Sequence, residues 1–527
     1  MKKQLPPHTP ADSAPKPELP SGLRMFLYVT SGVAGAAIMI VEILGARMLA
    51  PYVGTSHFVW TAQIAVTLAA LACGYYAGGR LVDRAARLGR LYWAILAAAA
   101  WLALTVALRE WVVYQVLDLP LAASSLLASV FLFFVPLGLL AMTGPFLVRM
   151  LTKSVNDVGG NVGRLSAIST IGSFLGTGVI GYVLIPLVPN SYTMFGTSAL
   201  LVVIVCCYFG AWNRKAARLA VMAVVAAAGL AAGCWGMLSE GLHSSSLAEL
   251  YRANSSFGML QVVQARSRPF RYYLDDYLIQ NTYDVEQRKS ASMFTYMLED
   301  LARGYAPALN DVLCIGMGVG IVPRELAQQG ARVDVVEINL AVVKVAEKYF
   351  DLDTGAFRLF IGDGRYYVNR SDKKYDAVIL DAFLGDSMPT HLMSREAFLA
   401  MKRVLQPDGV LVINTFVDFS SPKDFLGASL YKTLASVFPS VKVHGARGAN
   451  TLFVASSRAD LSLLHPPDLA EVHRDAAADV RAAFAELWTP DPKAGIVLTD
   501  DYNPVEYYDA ANRERLRHSL ALSIKLS

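Results

Sequence analysis

The chain has 527 residues, 54% hydrophobic and only 17% charged, where an ordinary soluble domain carries about 25% charged residues. The formal net charge is +4 and no long basic run occurs, so nucleic acid is not indicated as a partner. Of five cysteines only Cys314 lies in the second half of the chain. The second half therefore cannot form an internal disulfide, and no metal-ligand spacing appears.

The apolar excess lies before roughly residue 240, which divides the chain into a membrane half and a soluble half. Residues 1–24 are rich in proline and polar residues and read as a disordered tail without the order of a signal peptide. Apolar stretches of about the 20 residues needed to cross a bilayer follow within 25–240. They fall near 25–45, 58–79, 91–108, 119–143, 165–188, 192–211 and 216–238. Seven spans are the count, and six or eight also fit. The segment from Gly172 to Gly181 is rich in small residues, which suits close helix–helix contact in lipid. Glu42 and Arg47 at the first span read more simply as charges near a helix end than as a polar gate.

Basic residues mark alternate loops. Arg24 precedes the first span, Arg80 to Arg90 follow the second, Arg149 and Arg164 follow the fourth, and Arg214 to Arg218 follow the sixth. The positive-inside rule then places the N-terminus in the cytoplasm. Expected localisation is the cell inner membrane, multi-pass. With seven spans the soluble half emerges on the outer side, which conflicts with chemistry that draws on cytosolic substrates. The sequence leaves the side of that half open.

From about 250 the pattern changes. Residues 257–282 alternate apolar and polar in short runs, which predicts a small antiparallel β region over 250–285. A helix is expected over about 288–303. Strand and helix patterns then alternate at 311–316, 321–329, 333–337, 340–349, 357–361, 376–381, 395–405 and 409–415. This predicts an α/β domain over 286–510. The expected architecture is thus a multi-pass α-helical membrane domain, then a small antiparallel β region, then a Rossmann-like doubly wound sheet.

Ligands of such sheets bind at the carboxyl ends of the strands. There the sequence places Gly316, Gly318 and Gly320, whose turn permits close backbone approach to a ligand. Glu337 ends the second strand, where it can accept ribose hydroxyls. Asp363 and Gly364 follow the third, where they can meet an adenine amine. Asp381 ends the fourth. A carboxylate there can hold an amine and take its proton, which an alkylamine of pKa about 10.4 must lose before it becomes nucleophilic. Four such points in succession indicate an adenosyl sulfonium-type ligand.

With these residues in view, about 255–510 resemble the spermidine synthase (polyamine aminopropyltransferase) family, in its membrane-fused form. The resemblance rests on Tyr273-Leu-Asp-Asp-Tyr-Leu-Ile-Gln280, Met293-Phe-Thr-Tyr296, the glycine turn, Glu337, Gly362-Asp-Gly364, Leu380-Asp381 and Leu498-Thr-Asp-Asp-Tyr-Asn-Pro-Val-Glu506. It implies decarboxylated S-adenosylmethionine as co-substrate, no prosthetic group and no metal. It implies Glu337 at the ribose, Asp363 and Gly364 at the adenine, and Asp381 as the catalytic base. Gln280 and Tyr296 align with residues of the donor and amine pocket. The expected partners are putrescine, the adenosyl donor and the lipid bilayer, and a homo-oligomer is allowed.

The chain departs from the family pattern at the amine side. Val319 stands where an amine-binding Asp is usual, and Met297 where Gln or His is usual. The second pocket acid is expected at Asp386, five residues after the base rather than three. Asp500 and Asp501 are further acids available to replace the one lost at Val319. Two alternatives remain on the sequence: a methyltransferase using S-adenosylmethionine, and a membrane polyamine carrier or sensor whose soluble half binds without catalysis.

Overall fold

A computed structural model describes residues 19–54, 56–152, 154, 157–238, 246–383, 388–417, 424–445, 450–491 and 493–508. Among these, seven helices are long and apolar enough to cross a membrane. They are α1 (Ser21–Val53), α2 (His57–Arg84), α3 (Leu88–Val116), α4 (Leu121–Leu151), α5 (Val158–Leu187), α6 (Asn190–Trp212) and α7 (Ala216–Leu238). Pro20, Pro120 and Pro189 stand immediately before α1, α4 and α6, where a missing N–H costs nothing because helix-start donors have no partner within the helix. The start of α1 at Ser21 corrects the tail boundary by four residues. Leu23 and Leu27 are already buried in the bundle, and that packing extends the helix toward the polar end.

The small-residue segment does bring helices together. A Cβ on Gly172 would lie 2.0 Å from the carbonyl oxygen of Gly32, and one on Gly176 2.8 Å from that of Ala36. Backbones of α1 and α5 thus approach too closely for any side chain larger than hydrogen at these points.

The second half opens with five described strands in one antiparallel sheet of order β1-β2-β3-β4-β5. These are β1 (Leu247–Asn254), β2 (Met259–Ala265), β3 (Phe270–Asp275), β4 (Leu278–Asp284) and β5 (Lys289–Ser290). Asp276 and Tyr277 join β3 to β4 with φ of 47° and 64°, the left-handed pair required by a two-residue hairpin. β1 starts earlier than the sequence pattern indicates. Its Glu249–Arg252 ion pair, 2.5 Å long, interrupts the apolar alternation that would have marked it.

Helix α8 (Met293–Tyr305) leads into a seven-stranded sheet of order β11-β12-β10-β9-β6-β7-β8. Its elements in chain order are β6 (Asp311–Ile315), α9 (Ile321–Gln328), β7 (Arg332–Glu337), α10 (Leu340–Tyr349), β8 (Arg358–Ile361), α11 (Gly364–Arg370), β9 (Tyr375–Leu380), α12 (Arg395–Val404) and β10 (Leu405–Thr415). After α13 (Phe425–Ala435) come β11 (Ser440–Gly445) and β12 (Thr451–Ser456), then α14 (Arg474–Ala485) and α15 (Val505–Tyr508). β6 to β10 pair in parallel, whereas β12 is antiparallel to β10 and β11 antiparallel to β12. The antiparallel edge formed by β11 and β12 lies beyond the last strand read from the sequence.

Both faces of β6 are buried, as parallel central strands require. Val312 and Cys314 pack under Leu301 and Val322 on one face, and Leu313 and Ile315 join Phe398 and Leu430 on the other. The chain runs outward from β6 to β8 and then returns to β9 on the other side of β6. That reversal opens a crevice at the carboxyl ends of β6 and β9, the switch point where α/β sheets hold ligands.

The two halves touch at one end of the helical bundle. Arg47 of α1 donates to the carbonyl of Ser256 at 2.9 Å, in the turn joining β1 to β2. Asn254 donates to Val188 O and Asn190 Oδ1, each at 3.1 Å. His57 and Glu506 lie 3.5 Å apart, and the Tyr52 and Tyr277 rings 5.7 Å apart.

Candidate active site

A cleft enclosing about 960 Å³ of non-atom space, open solvent included, lies at the switch point. The chain builds it from the end of β6 outward. Ile315 is followed by Gly316 at φ 89° and Gly318 at φ 53°, backbone that side-chain-bearing residues rarely adopt. A Cβ on Gly316 would lie 2.1 Å from the carbonyl oxygen of Asp381, so only glycine lets the two strand ends approach. Gly320, φ 80°, precedes the first residue of α9. Gly316 and Gly318 line the cleft, while Gly320 supports the turn from behind, against Leu352.

Glu337 ends β7 and is buried. Its two carboxylate oxygens accept from Met317 N at 3.0 Å and Asn339 N at 2.7 Å. Burial pushes its carboxyl above the ordinary range, and these backbone N–H groups pull against that rise. The carboxylate is thus fixed against the glycine turn while still lining the cleft.

Asp363 caps α11 by accepting from Tyr366 N at 2.8 Å, and its other oxygen meets His391 Nε2 at 2.8 Å. Gly364 opens that helix and lines the cleft, where a Cβ would lie 2.3 Å from Ile315 Cγ2.

Asp381 follows β9. Its backbone N–H donates to Ile315 O at 2.9 Å, which locks it to the strand bearing the glycine turn. Its Oδ1 accepts from Asn414 Nδ2 at 2.8 Å, and Asn414 Oδ1 in turn accepts from Asn450 Nδ2 at 2.9 Å. Burial pushes the Asp381 carboxyl up to about 6, with the Asn414 hydrogen bond acting in the opposite direction. A group of this kind is ionised at neutral pH yet basic enough to accept a proton.

The structure therefore brings Gln280, Gly316, Gly318, Glu337, Asp363, Gly364 and Asp381 to one cleft. It does not bring Tyr296 there. Phe294 lines the cleft, and two residues further along α8 the side chain points about 200° around the axis. The Tyr296 hydroxyl donates to Ser290 O at 2.6 Å and accepts from His473 N at 3.2 Å. Tyr296 faces a different cavity, beside Glu299 and Glu325. Asp386 lies outside the described residues. Asp500 is absent from the lining; it pairs with Arg365 at 2.9 Å and accepts from Ser394.

Val319 and Met297 are both buried in the same apolar cluster. The two departures from the family pattern are thus absorbed into core packing. The Val319 backbone still serves the turn, because its N–H donates to Asn281 Oδ1 at 3.3 Å.

Several lining residues carried no sequence signal: Phe257, Asn281, Asn339, His391, Asn414 and Phe416. Asn339 links the site to the turn that meets the helical bundle, since its Nδ2 donates to Ser255 Oγ at 3.0 Å. The chain of contacts runs from Arg47 through the Ser255–Gly258 turn to Asn339 and Glu337. Replacing Arg47 with alanine is expected to raise the Kd for an adenosyl ligand a few-fold, at the low end of the about 0.5–1.5 kcal/mol of an ordinary hydrogen bond because this one is exposed. Equilibrium titration of the detergent-purified protein checks this, with Arg47→Lys recovering part of the loss.

Comparison with known proteins shows what the second half of the chain is similar to. The family model for the spermine/spermidine synthase domain matches residues 292–444. A polyamine aminopropyltransferase of Vibrio vulnificus is 41% identical over 118 residues, 21% of this chain and 40% of that protein. An N-terminal histidine N-methyltransferase of Emericella nidulans is 34% identical over 143 residues, 26% of this chain and 25% of that protein. A solved spermidine synthase from Thermotoga maritima superposes with a TM-score of 0.38 at 20% identity, over 45% of this chain and 84% of that one. The chain thus spans well under two thirds of the length of either curated relative. Its C-terminal part carries a spermine/spermidine synthase domain, with polyamine aminopropyltransferases among its relatives.

Proposed function

We propose that the protein transfers an aminopropyl group from decarboxylated S-adenosylmethionine to putrescine, giving spermidine and methylthioadenosine. The observation that carries the reading is the pairing of two carboxylates in one cleft, Glu337 fixed by backbone donors and Asp381 with its carboxyl near 6. Glu337 accepts the ribose hydroxyls, and Asp363 with Gly364 meets the adenine. Gln280 lies on the donor's path. The glycine turn lets the donor lie against the backbone.

The amine nitrogen attacks the methylene carbon beside the sulfonium. The carbon–sulfur bond breaks, its electron pair stays on sulfur, and the sulfonium becomes a neutral thioether. The nitrogen's proton passes to Asp381. Asn414 holds the carboxylate that receives it. Orientation and proton removal supply the catalysis. The far ammonium of the diamine is held by Asp275, a buried carboxylate in the cleft lining. It stands in for the acid absent at Val319.

Donor preference tests the reading. The lining carboxylates Asp275 and Asp381 favour a donor chain ending in an ammonium alone over one that also bears a carboxylate. Decarboxylated S-adenosylmethionine is therefore expected to bind at least about tenfold tighter than S-adenosylmethionine in equilibrium titration, a difference of about 1.4 kcal/mol. The reverse preference points to methyl transfer instead.

The role of Asn414 gives a pH test. Its hydrogen bond favours the ionised form of Asp381, so Asn414→Ala removes a stabilising donor and raises the carboxyl further. The acidic limb of kcat/KM, expected near pH 6 in the parent because the Asp381 carboxyl is raised to about 6, should move upward by about one unit, the equivalent of a charged hydrogen bond. A profile measured from pH 5 to 9 checks this; an unmoved limb removes Asp381 as the titrating base.

A further inference from the structure

We infer that the cleft opens on the non-cytoplasmic side of the membrane, so that both reactants reach it from that compartment. The statement about reactants rests on the reading of the cleft as an adenosyl-donor site; the statement about the side does not.

Seven crossings put the two ends of the bundle in alternation. The ends of α1, α3, α5 and α7 share one side with the starts of α2, α4 and α6. Each contact between the halves described above falls on that side. Arg47 and Tyr52 are near the end of α1, His57 begins α2, and Val188 and Asn190 connect α5 to α6. Arg109, from the last part of α3, lines a cavity there with Arg252 of β1. The seating of the α/β half is therefore fixed by four separate stretches of the bundle, not by the direction of α7 alone.

The opposite end carries the basic residues. Arg80, Arg84, Arg87 and Arg90 lie on the α2–α3 connection, and all four are exposed. Arg149 and Arg164 flank the α4–α5 connection, and Arg214, Lys215 and Arg218 the α6–α7 connection, again exposed. On the junction side the basic residues of the helices are Arg47 and Arg109, accompanied by the acids Glu110 and Asp118. Lysine and arginine in short loops mark the cytoplasmic side. The bundle thus turns its basic end to the cytoplasm and its α/β half away from it.

This placement has a chemical consequence. A sulfonium cannot shed its charge by losing a proton, and an ion pays heavily to enter hydrocarbon. A transport step must therefore deliver the donor to the outer compartment before transfer occurs there.

Oriented membrane vesicles from cells producing the full chain test the inference. The background replaces Cys73, Cys206, Cys207 and Cys234 with alanine and keeps Cys314, which is buried in β6. Two single cysteines are then introduced: Lys344→Cys, exposed on α10, and Arg87→Cys, exposed on the basic end. A membrane-impermeant maleimide is expected to label Lys344→Cys in right-side-out vesicles and Arg87→Cys in inverted ones. The opposite pattern overturns the inference. In the cysteine-replaced background, externally added decarboxylated S-adenosylmethionine and putrescine should give spermidine in right-side-out vesicles. Product formed only in inverted vesicles also overturns it. The predicted labelling with no product, even after detergent, upholds the placement and sinks the donor reading.

Discussion

Asp381→Asn should lower kcat by at least about a hundredfold, the lower end of what a positioned general base contributes. Donor affinity should stay within a few-fold of the parent, because the backbone contacts at the glycine turn are unchanged. The amide keeps the size and the Asn414 contact but cannot take the amine's proton. Stability gives the control. Burial raises the Asp381 carboxyl to about 6, so the folded protein favours its protonated form. The stabilising contribution of that group is complete below the unfolded value near 3.9 and is lost as pH rises through about 6. At pH 7 to 8 the parent carries the full cost of a buried charge and the amide does not. Asp381→Asn is therefore expected to melt no earlier than the parent at that pH. Steady-state kinetics and thermal denaturation in the same buffer separate lost chemistry from lost fold. Parent-like turnover would remove Asp381 from the mechanism.

Glu337→Ala is expected to weaken adenosyl-donor binding by roughly a hundredfold, about 2.8 kcal/mol. The loss has two sources. The ribose loses its carboxylate acceptor, and the N–H groups of Met317 and Asn339 lose their shared partner. Each buried donor left unmatched costs about 1–3 kcal/mol, so the turn itself also loosens. Glu337→Gln keeps one carbonyl acceptor and should lose about tenfold. Titration with methylthioadenosine reads both variants without requiring turnover. Equal and small losses in the two would mean that the carboxylate does not face the ligand.

These residues were legible because each ends a strand. The apolar runs before Gly316, Glu337, Asp363 and Asp381 predict the strands, and a parallel sheet collects its strand ends at one edge. The elements least visible in the sequence owe their conformation to distant partners. β12 joins the sheet by pairing with β10, and β11 by pairing with β12, which local periodicity does not announce. The β3–β4 turn uses Asp276 and Tyr277 in left-handed backbone where asparagine and glycine are the usual signal.

The same distinction holds within the site. Asn414 meets Asp381, and Asn450 meets Asn414, only through the register of β9, β10 and β12. Asn339 reads locally as the residue before α10, and it does accept from Ala341 N at 3.1 Å. Its second contact, to Ser255, comes from a hairpin far away in the chain. Tyr296 was misplaced because a motif match fixes position along α8 but not the rotation of the helix about its axis. Phe294 takes the face toward the cleft.

The transferred group is identified by its products. Detergent-purified protein incubated with putrescine and decarboxylated S-adenosylmethionine labelled in its aminopropyl chain should yield labelled spermidine and an equal amount of methylthioadenosine by mass spectrometry. Unlabelled polyamine, or S-adenosylhomocysteine formed when S-adenosylmethionine is supplied instead, would contradict it.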